Sequence, residues 1–271
     1  MAITRTIYTE SNVLVKHTDI NALGDNTDEN TFDTVQNATY TSNEPKQDVT
    51  VFGKRGSVGR VQVEPHTATL EFTFVPRIAG GGVEGDVINV LMQDSMKSSP
   101  TRGTVWCPGI GAVTGGLLAS IAADVAVGAL PTVTLTFEGS PSGVPAKESE
   151  GGIGSSVTVA TPSGITVNNV DCAQSVSIAW DLPIERIQCL DGGPRDAQAF
   201  GNLPGTASMT TEGTEAVGKV TGVSIGGIRF YMDDSGSEIE TQTHNLAVGE
   251  LFGTFNTVTS NTAGSCFMID V

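Results

Sequence analysis

A mainly β protein is predicted: an antiparallel sandwich or barrel-like unit with two long hairpins and one flanking α-helix. Three observations predict it. Apolar and polar residues alternate with a period of two, as in Leu70, Phe72 and Phe74 against Thr69, Glu71 and Thr73, and again in Val133, Leu135 and Phe137. The 33 glycines and 12 prolines among 271 residues demand many turns, and so short strands rather than long helices. A pattern of strand, proline, strand, glycine-rich tip, proline, strand occurs twice. The length lies within reach of one large all-β unit.

Residues 1–34 read as a polar, acidic N-terminal arm, with a strand available over Thr6–Val15. Asp25, Asp28, Glu29 and Asp33 sit among Asn and Thr. They lack the EF-hand spacing and its glycine, so a solvated loop is expected there rather than a calcium site. Residues 35–138 form the first half of the fold. A hairpin opens it, with strands over Gln36–Phe52 and Val61–Phe74 around the tip Gly53–Gly59. A hairpin this long has a flank of unpaired N–H and C=O groups that needs a partner. Next, Val87, Val90 and Leu91 recur at helical spacing, which predicts a helix over Asp86–Met96, opened by Gly85 or Asp86 and ended before Pro100. Leu118–Val127 is alanine-rich, yet Ile121, Ala123, Val125 and Val127 alternate. With Gly128-Ala129-Leu130 as the connection and Pro131–Phe137 as the return, it reads as a hairpin.

Residues 139–169 are a Gly/Ser/Pro-rich loop or insertion, and residues 170–271 the second half of the fold. That half holds the second hairpin and further strands near Val220–Met232, Glu238–His244 and Leu251–Val258. The two hairpins match in design. Gln36 precedes Pro45 by nine positions, and Gln174 precedes Pro183 by the same nine. Ala38, Tyr40 and Ser42 then fall on Val176, Ile178 and Trp180, and Pro65 on Pro204. Arg186 falls on Asp48, so that either an ion pair or a shifted register is expected there.

Composition excludes several classes. Only 16% of residues are charged against 38% apolar, so the surface must be rich in hydroxyls and amides. A net charge of −16 opposes adhesion to DNA or to an anionic membrane, because basic residues supply phosphate affinity. No run approaches the ~20 apolar residues of a membrane helix. Met1–Thr6 opens no apolar signal-peptide core. The four cysteines, Cys107, Cys172, Cys189 and Cys266, form no CxxC or Cys/His cluster and read as free thiols.

No catalytic constellation is present. His17, His66 and His244 are far apart, and no GxSxG elbow occurs. Gly109-Ile110-Gly111 opens like a dinucleotide fingerprint, but Thr114 takes the third glycine position. Gly80-Gly81-Gly82 lacks the Lys-Ser/Thr of a phosphate loop. Trp106, Trp180 and three tyrosines are too scattered for a single-strand stacking platform. No enzyme, cofactor or metal is therefore expected.

Four segments carry a resemblance: Gln36–Tyr40 through Glu44–Gly53; Ala68–Phe74; Ala126–Val133 with Phe137–Gly139; and Gln174–Arg186 with Asn245–Glu250. In this order and spacing the chain resembles the major tail protein, or tail tube subunit, of tailed bacteriophages, from about residue 35 to 260. The resemblance implies a structural virion protein, made in the host cytoplasm. Its copies would form hexameric rings that stack into the tail tube, a conduit for genome delivery. It implies partners as well: the chain itself, a tape-measure protein, a tail terminator, baseplate or tail-tip proteins, and a sheath if the tail contracts. DNA would transit without specific binding. Under that reading, strand alternation nominates Asp48, Thr50, Thr69, Glu71, Thr73, Ser175, Ser177 and Asp181, with Ala179, as lumen-lining residues. Lys54, Arg55 and Arg60 are nominated as a basic tip docking on an acidic face of the next ring, near Asp25–Asp33. The alternatives are a β-sandwich binding module, such as a fibre or adhesin, and a capsid or decoration protein.

Overall fold

Prolines decide where the long hairpins break. The computed structural model describes residues 12–17, 29–32, 34–76, 87, 88, 91, 102–143, 165–167, 173–182, 184–189, 193–198, 203–212, 222–225, 228–231, 238–244, 248–257, 269 and 270. Early in the chain come β1 (Val13–Lys16), β2 (Glu29–Phe32), β3 (Val35–Asn43), β4 (Lys46–Thr50), β5 (Ser57–Gln62) and β6 (Thr67–Phe74). The middle holds β7 (Gly103–Cys107), β8 (Gly111–Ala126), β9 (Thr132–Ser142) and β10 (Ile165–Val167). The second hairpin is β11 (Ala173–Asp181), β12 (Ile184–Cys189), β13 (Gly193–Gln198) and β14 (Leu203–Glu212). Last come β15 (Gly222–Ile225), β16 (Ile228–Tyr231), β17 (Glu238–His244), β18 (Val248–Thr257) and β19 (Ile269–Asp270).

The strand expected over Gln36–Phe52 is thus two strands, broken at Glu44-Pro45, and the return strand breaks before Thr67, around Pro65. Pro45 has no N–H to give a ladder, and it holds the residue before it extended. β3 pairs with β6 inside the main sheet, whereas β4 and β5 pair only with each other, as a two-stranded ribbon. The second hairpin repeats this plan: β11 pairs with β14 in the main sheet, and β12 with β13 as a second ribbon. The gaps repeat too. Asn43 to Lys46 matches Asp181 to Ile184, and Gln62 to Thr67 matches Gln198 to Leu203.

Eleven strands form the main sheet. One path runs β17-β18-β14-β11-β8-β7-β1-β2, and β8 also carries β9, β6 and β3. β8 serves both branches because it is 16 residues long: Ser120–Ala126 pair with β11, and Gly111–Gly116 pair with β7. The sheet curls into a half-barrel. Phe32, on the last strand of one branch, packs against Phe72 and Phe74 of the other at ring-centroid distances of 5.1 and 4.9 Å. Phe72 stacks on Phe137 at 6.0 Å. The Tyr40 ring lies over Gly111, where any Cβ would overlap it.

Alternation puts Ala68, Leu70, Phe72 and Phe74 of β6, Val133, Leu135 and Phe137 of β9, and Val176 and Ile178 of β11 in this core. The hairpin read at Leu118–Phe137 is present and longer than expected. β8 begins at Gly111 and β9 continues to Ser142, so 139–142, assigned to a loop, are strand. Its turn takes Gly128 at φ 83°, with Ala129 N–H donating to Ala126 C=O at 3.1 Å. β1 and β2 fall within the segment 1–34 expected as an arm, and they add Val13, Val15 and Phe32 to the core. Val87, Ile88 and Leu91 are helical and buried. The rest of the helix expected over Asp86–Met96 lies outside the described residues, as do 6–11 of the strand expected over Thr6–Val15.

Gly139 sits where β8 bulges between Thr114 and Leu117. A Cβ there would lie 2.6 Å from Val113 Cγ1 and 2.7 Å from the Thr114 carbonyl oxygen. One of these is backbone that cannot rotate away. Gly139→Ala is expected to destabilise the protein by roughly 1–3 kcal/mol, seen as a lower urea midpoint. A wild-type midpoint would show that the bulge yields freely.

Candidate functional site

The outward face of the main sheet is built by the strand halves that alternate with the core. On β6, Thr69, Glu71 and Thr73 point away from Leu70, Phe72 and Phe74. Register carries the same face across neighbouring strands. Thr39 of β3 lies beside Glu71, Glu71 beside Thr136, Thr136 beside Ser120, and Ser120 beside Asp181. One row along, Asn37, Thr73, Thr134, Ala122 and Ala179 follow one another. A third row runs Thr132, Asp124, Ser177, Ser208. Thr73 and Thr134 join their hydroxyls at 2.9 Å.

Sequence reasoning nominated Thr69, Glu71 and Thr73 from the first hairpin, and Ser175, Ser177, Ala179 and Asp181 from the second. The structure brings them onto one face of one sheet, with β8 and β9 between them. It adds Thr39, Ser120, Asp124, Thr134, Thr136 and Glu138 to that face. Their signal was the same alternation, carried into β3, β8 and β9, whose polar residues had not been nominated.

On β6, β8, β9 and β11 the charges of this face have one sign; an exposed cation, Lys16, stands on β1 at the end of the row Ser140, Thr114, Thr104, Lys16. Glu71, Asp124 and Asp181 are exposed, and Glu138 is half-buried. The sequences of β3, β6, β8, β9, β11, β14 and β18 contain no Lys and no Arg. The face is therefore a carpet of hydroxyls studded with carboxylates.

Asp48 and Thr50 lie elsewhere, on the β4–β5 ribbon. Every residue of β4 and β5 is exposed. The nomination of Asp48 and Thr50 as lining residues requires Val49 and Val51 to face the core. They are instead 39% and 48% exposed, because the break at Pro45 carries the ribbon off the sheet. Val49 and Val61 mark one face of the ribbon; Lys46, Asp48, Arg60 and Gln62 mark the other. Phe52, at the tip, is wholly exposed. The tip turns through Gly53 and Gly56, at φ 87° and 89°, and holds Lys54 and Arg55.

Arg60 was grouped with Lys54 and Arg55, but it lies on β5 across from Asp48 and donates Nε–H to Asp48 Oδ1 at 2.8 Å. A nominated lining residue and a nominated tip residue thus occupy one rung and neutralise each other. The matching rung of the second ribbon has the charges exchanged, with Arg186 the register partner of Asp196. At the ribbon base, Lys46 Nζ donates to Glu44 Oε2 at 2.6 Å, and that bond holds the Glu44 carboxyl below the usual carboxylate range. Ser42 Oγ meets His66 Nε2 at 2.7 Å beside it.

Among the described residues no three of His, Cys, Asp and Glu gather to hold a metal. The segment with Asp25, Asp28 and Asp33 lies outside the described residues. Cys107 is a free, buried thiol whose pKa burial raises, which keeps it protonated at neutral pH. No family model matches the chain, and no curated protein matches it.

Proposed function

We propose that this chain is a structural, self-assembling subunit of a bacteriophage tail tube, whose copies form stacked hexameric rings around a channel for DNA. The observation that carries the reading is the cation-free face shared by both hairpins and the two strands between them. Duplex DNA binds proteins through Lys and Arg that displace its counterions. A wall of Ser, Thr, Glu and Asp offers DNA no such exchange, and its carboxylates repel phosphate. Thr69, Glu71, Thr73, Ser175, Ser177 and Asp181 line the channel in this reading. A helix over Asp86–Met96 flanks the sheet, supported by the buried, helical Val87, Ile88 and Leu91.

The two ribbons support assembly. A two-stranded ribbon is marginally stable alone in water, and the first one presents Val49, Val51, Val61 and Phe52 to solvent. Covering those residues on neighbouring copies gives the ribbon a role. The remaining partners follow from the resemblance: a tape-measure protein, a terminator, a tail-tip or baseplate, and a sheath in a contractile tail.

Negative-stain imaging of the purified chain tests the reading. Rings or tubes are expected, and a monodisperse monomer at high concentration would refute it. In the same experiment Lys54→Glu, Arg55→Glu should give rings that no longer stack, because the tip then repels the acidic next ring. Tubes of normal length from that variant would remove the tip from the ring-to-ring joint. Arg60 is left out of the variant because Asp48 already engages it.

A further inference from the structure

We propose that His66 makes the root of the first ribbon an acid-tightened joint: with a proton on its imidazole the ribbon is held to the main sheet, and without that proton it swings more freely. The joint belongs to the single chain and needs no assembly.

Two prolines build the neck. The chain leaves β3 through Glu44-Pro45 and returns to β6 through Val63-Glu64-Pro65-His66. Neither proline has an N–H to give a ladder, and among the described residues β4 and β5 pair only with each other. Two contacts tie the legs together here. On the ribbon side, Val63 N–H donates to Pro45 C=O at 3.1 Å. On the sheet side, Ser42 Oγ meets His66 Nε2 at 2.7 Å, beside the last rung of β3 and β6, Asn43 with Thr67. The second contact holds a group that titrates.

Charge supplies the switch. The neck carries two carboxylates, Glu44 and Glu64, and one permanent cation, Lys46, whose Nζ lies 2.6 Å from Glu44 Oε2. Among the described residues no cation pairs with Glu64. With His66 neutral the neck is one positive charge short, and with His66 charged it is balanced. An imidazole changes charge over roughly pH 5–8. Once charged it has two N–H donors instead of one. Nε2–H then donates to Ser42 Oγ, and the positive charge attracts Glu44 of the first leg and Glu64 of its own. The bond to Lys46 lowers the Glu44 carboxyl most, and the charge on His66 lowers it further. The other charged groups on these elements are Asp48 and Arg60, which neutralise each other further out, Lys54 and Arg55 at the tip, and Glu71 and Glu138 on the outward faces of β6 and β9. A ribbon held still loses less freedom when it docks, so acid favours whatever contact Phe52 and the ribbon valines make.

Hydrogen exchange read by mass spectrometry on the full chain tests the joint, over the legs 43–47 and 62–68. Wild type and His66→Gln are compared at about pH 5.5 and again at about pH 8, either side of the imidazole range. Rates are compared at one pH at a time, so the intrinsic pH dependence of exchange cancels. Light scattering matches the samples in size, because docking would itself protect the legs. At the lower pH the wild-type legs should exchange about two- to fivefold more slowly than those of His66→Gln, the range for an exposed charge pair. At the higher pH the two should exchange alike. His66→Lys, charged throughout, should protect the legs at both. Glu44→Gln with Glu64→Gln reads the same switch without touching His66, and should remove the acid protection. A wild-type advantage of equal size at both pH values would make His66 a fixed brace and overturn the proposal. So would the absence of any difference, or acid protection that survives in the double glutamine variant.

Discussion

Glu71→Lys, Asp124→Lys and Asp181→Lys, combined in one chain, are expected to make the protein bind duplex DNA at low salt, where the wild type does not. All three residues are exposed on the outward face, on β6, β8 and β11. Each change adds two charges, moving the chain from −16 to −10 while placing three cations on strands that carry none. With about three phosphates neutralised per copy, affinity should fall roughly 10- to 100-fold between about 50 and 200 mM salt. Fluorescence anisotropy of a labelled duplex reads the effect, and the glutamine and asparagine counterparts of the three changes separate gained cations from lost carboxylates. Those neutral variants should stay non-binding. Stability should move little, as is usual for solvent-facing positions. Tight wild-type binding, or a triple variant that ignores DNA, would show that this face does not govern contact with nucleic acid.

Phe72→Ala should cost about 3–5 kcal/mol of folding free energy, a large share of the ~5–15 kcal/mol that holds a domain together. Phe72 is 1% exposed and touches the rings of Phe32, Phe74 and Phe137. These rings belong to β2, β6 and β9, so removing Phe72 opens a cavity where the two branches of the curled sheet meet. Urea denaturation measures the loss. Thr73→Ala, one residue along on the other face, removes only the hydroxyl contact with Thr134 and should cost about 0.5–1.5 kcal/mol. Similar losses from the two variants would contradict the assignment of core and outer faces.

The β character of the chain and the facing of its strands were legible because alternation is a local signal. Leu70, Phe72 and Phe74 could be assigned to one face from eight residues of sequence, and the structure agrees. The match between hairpins was legible from proline and glycine spacing, and it holds down to the gaps between strands. The break within each hairpin was less visible, although Pro45 marked the first. Alternation runs through Val49 and Val51 as if they faced a core, and period alone does not say whether a core lies beneath. The places of β1 and β2 were illegible for another reason. Val13-Leu14-Val15 and Phe32 are short apolar islands in a polar segment, and what places them lies far along the chain: β7, some ninety residues on, pairs with β1, and Phe72 and Phe74 of β6 pack on Phe32. The ion pair of Asp48 with Arg60 needed the register of a ribbon whose tip is shorter than the glycines suggested.

The order in which strands are paired has a consequence for biogenesis. β3 with β6, and β8 with β9, are local hairpins that form soon after synthesis, whereas β1 must wait for β7, and β8 for β11. Non-local closure of this kind is slow, because loop entropy is lost before contacts repay it. For that interval the growing chain displays β3, nine uncharged residues whose partner among the described residues is β6 alone, to every other nascent copy nearby. Such an exposed edge is a hazard on the ribosome, which prompt chaperone capture of the growing chain would relieve.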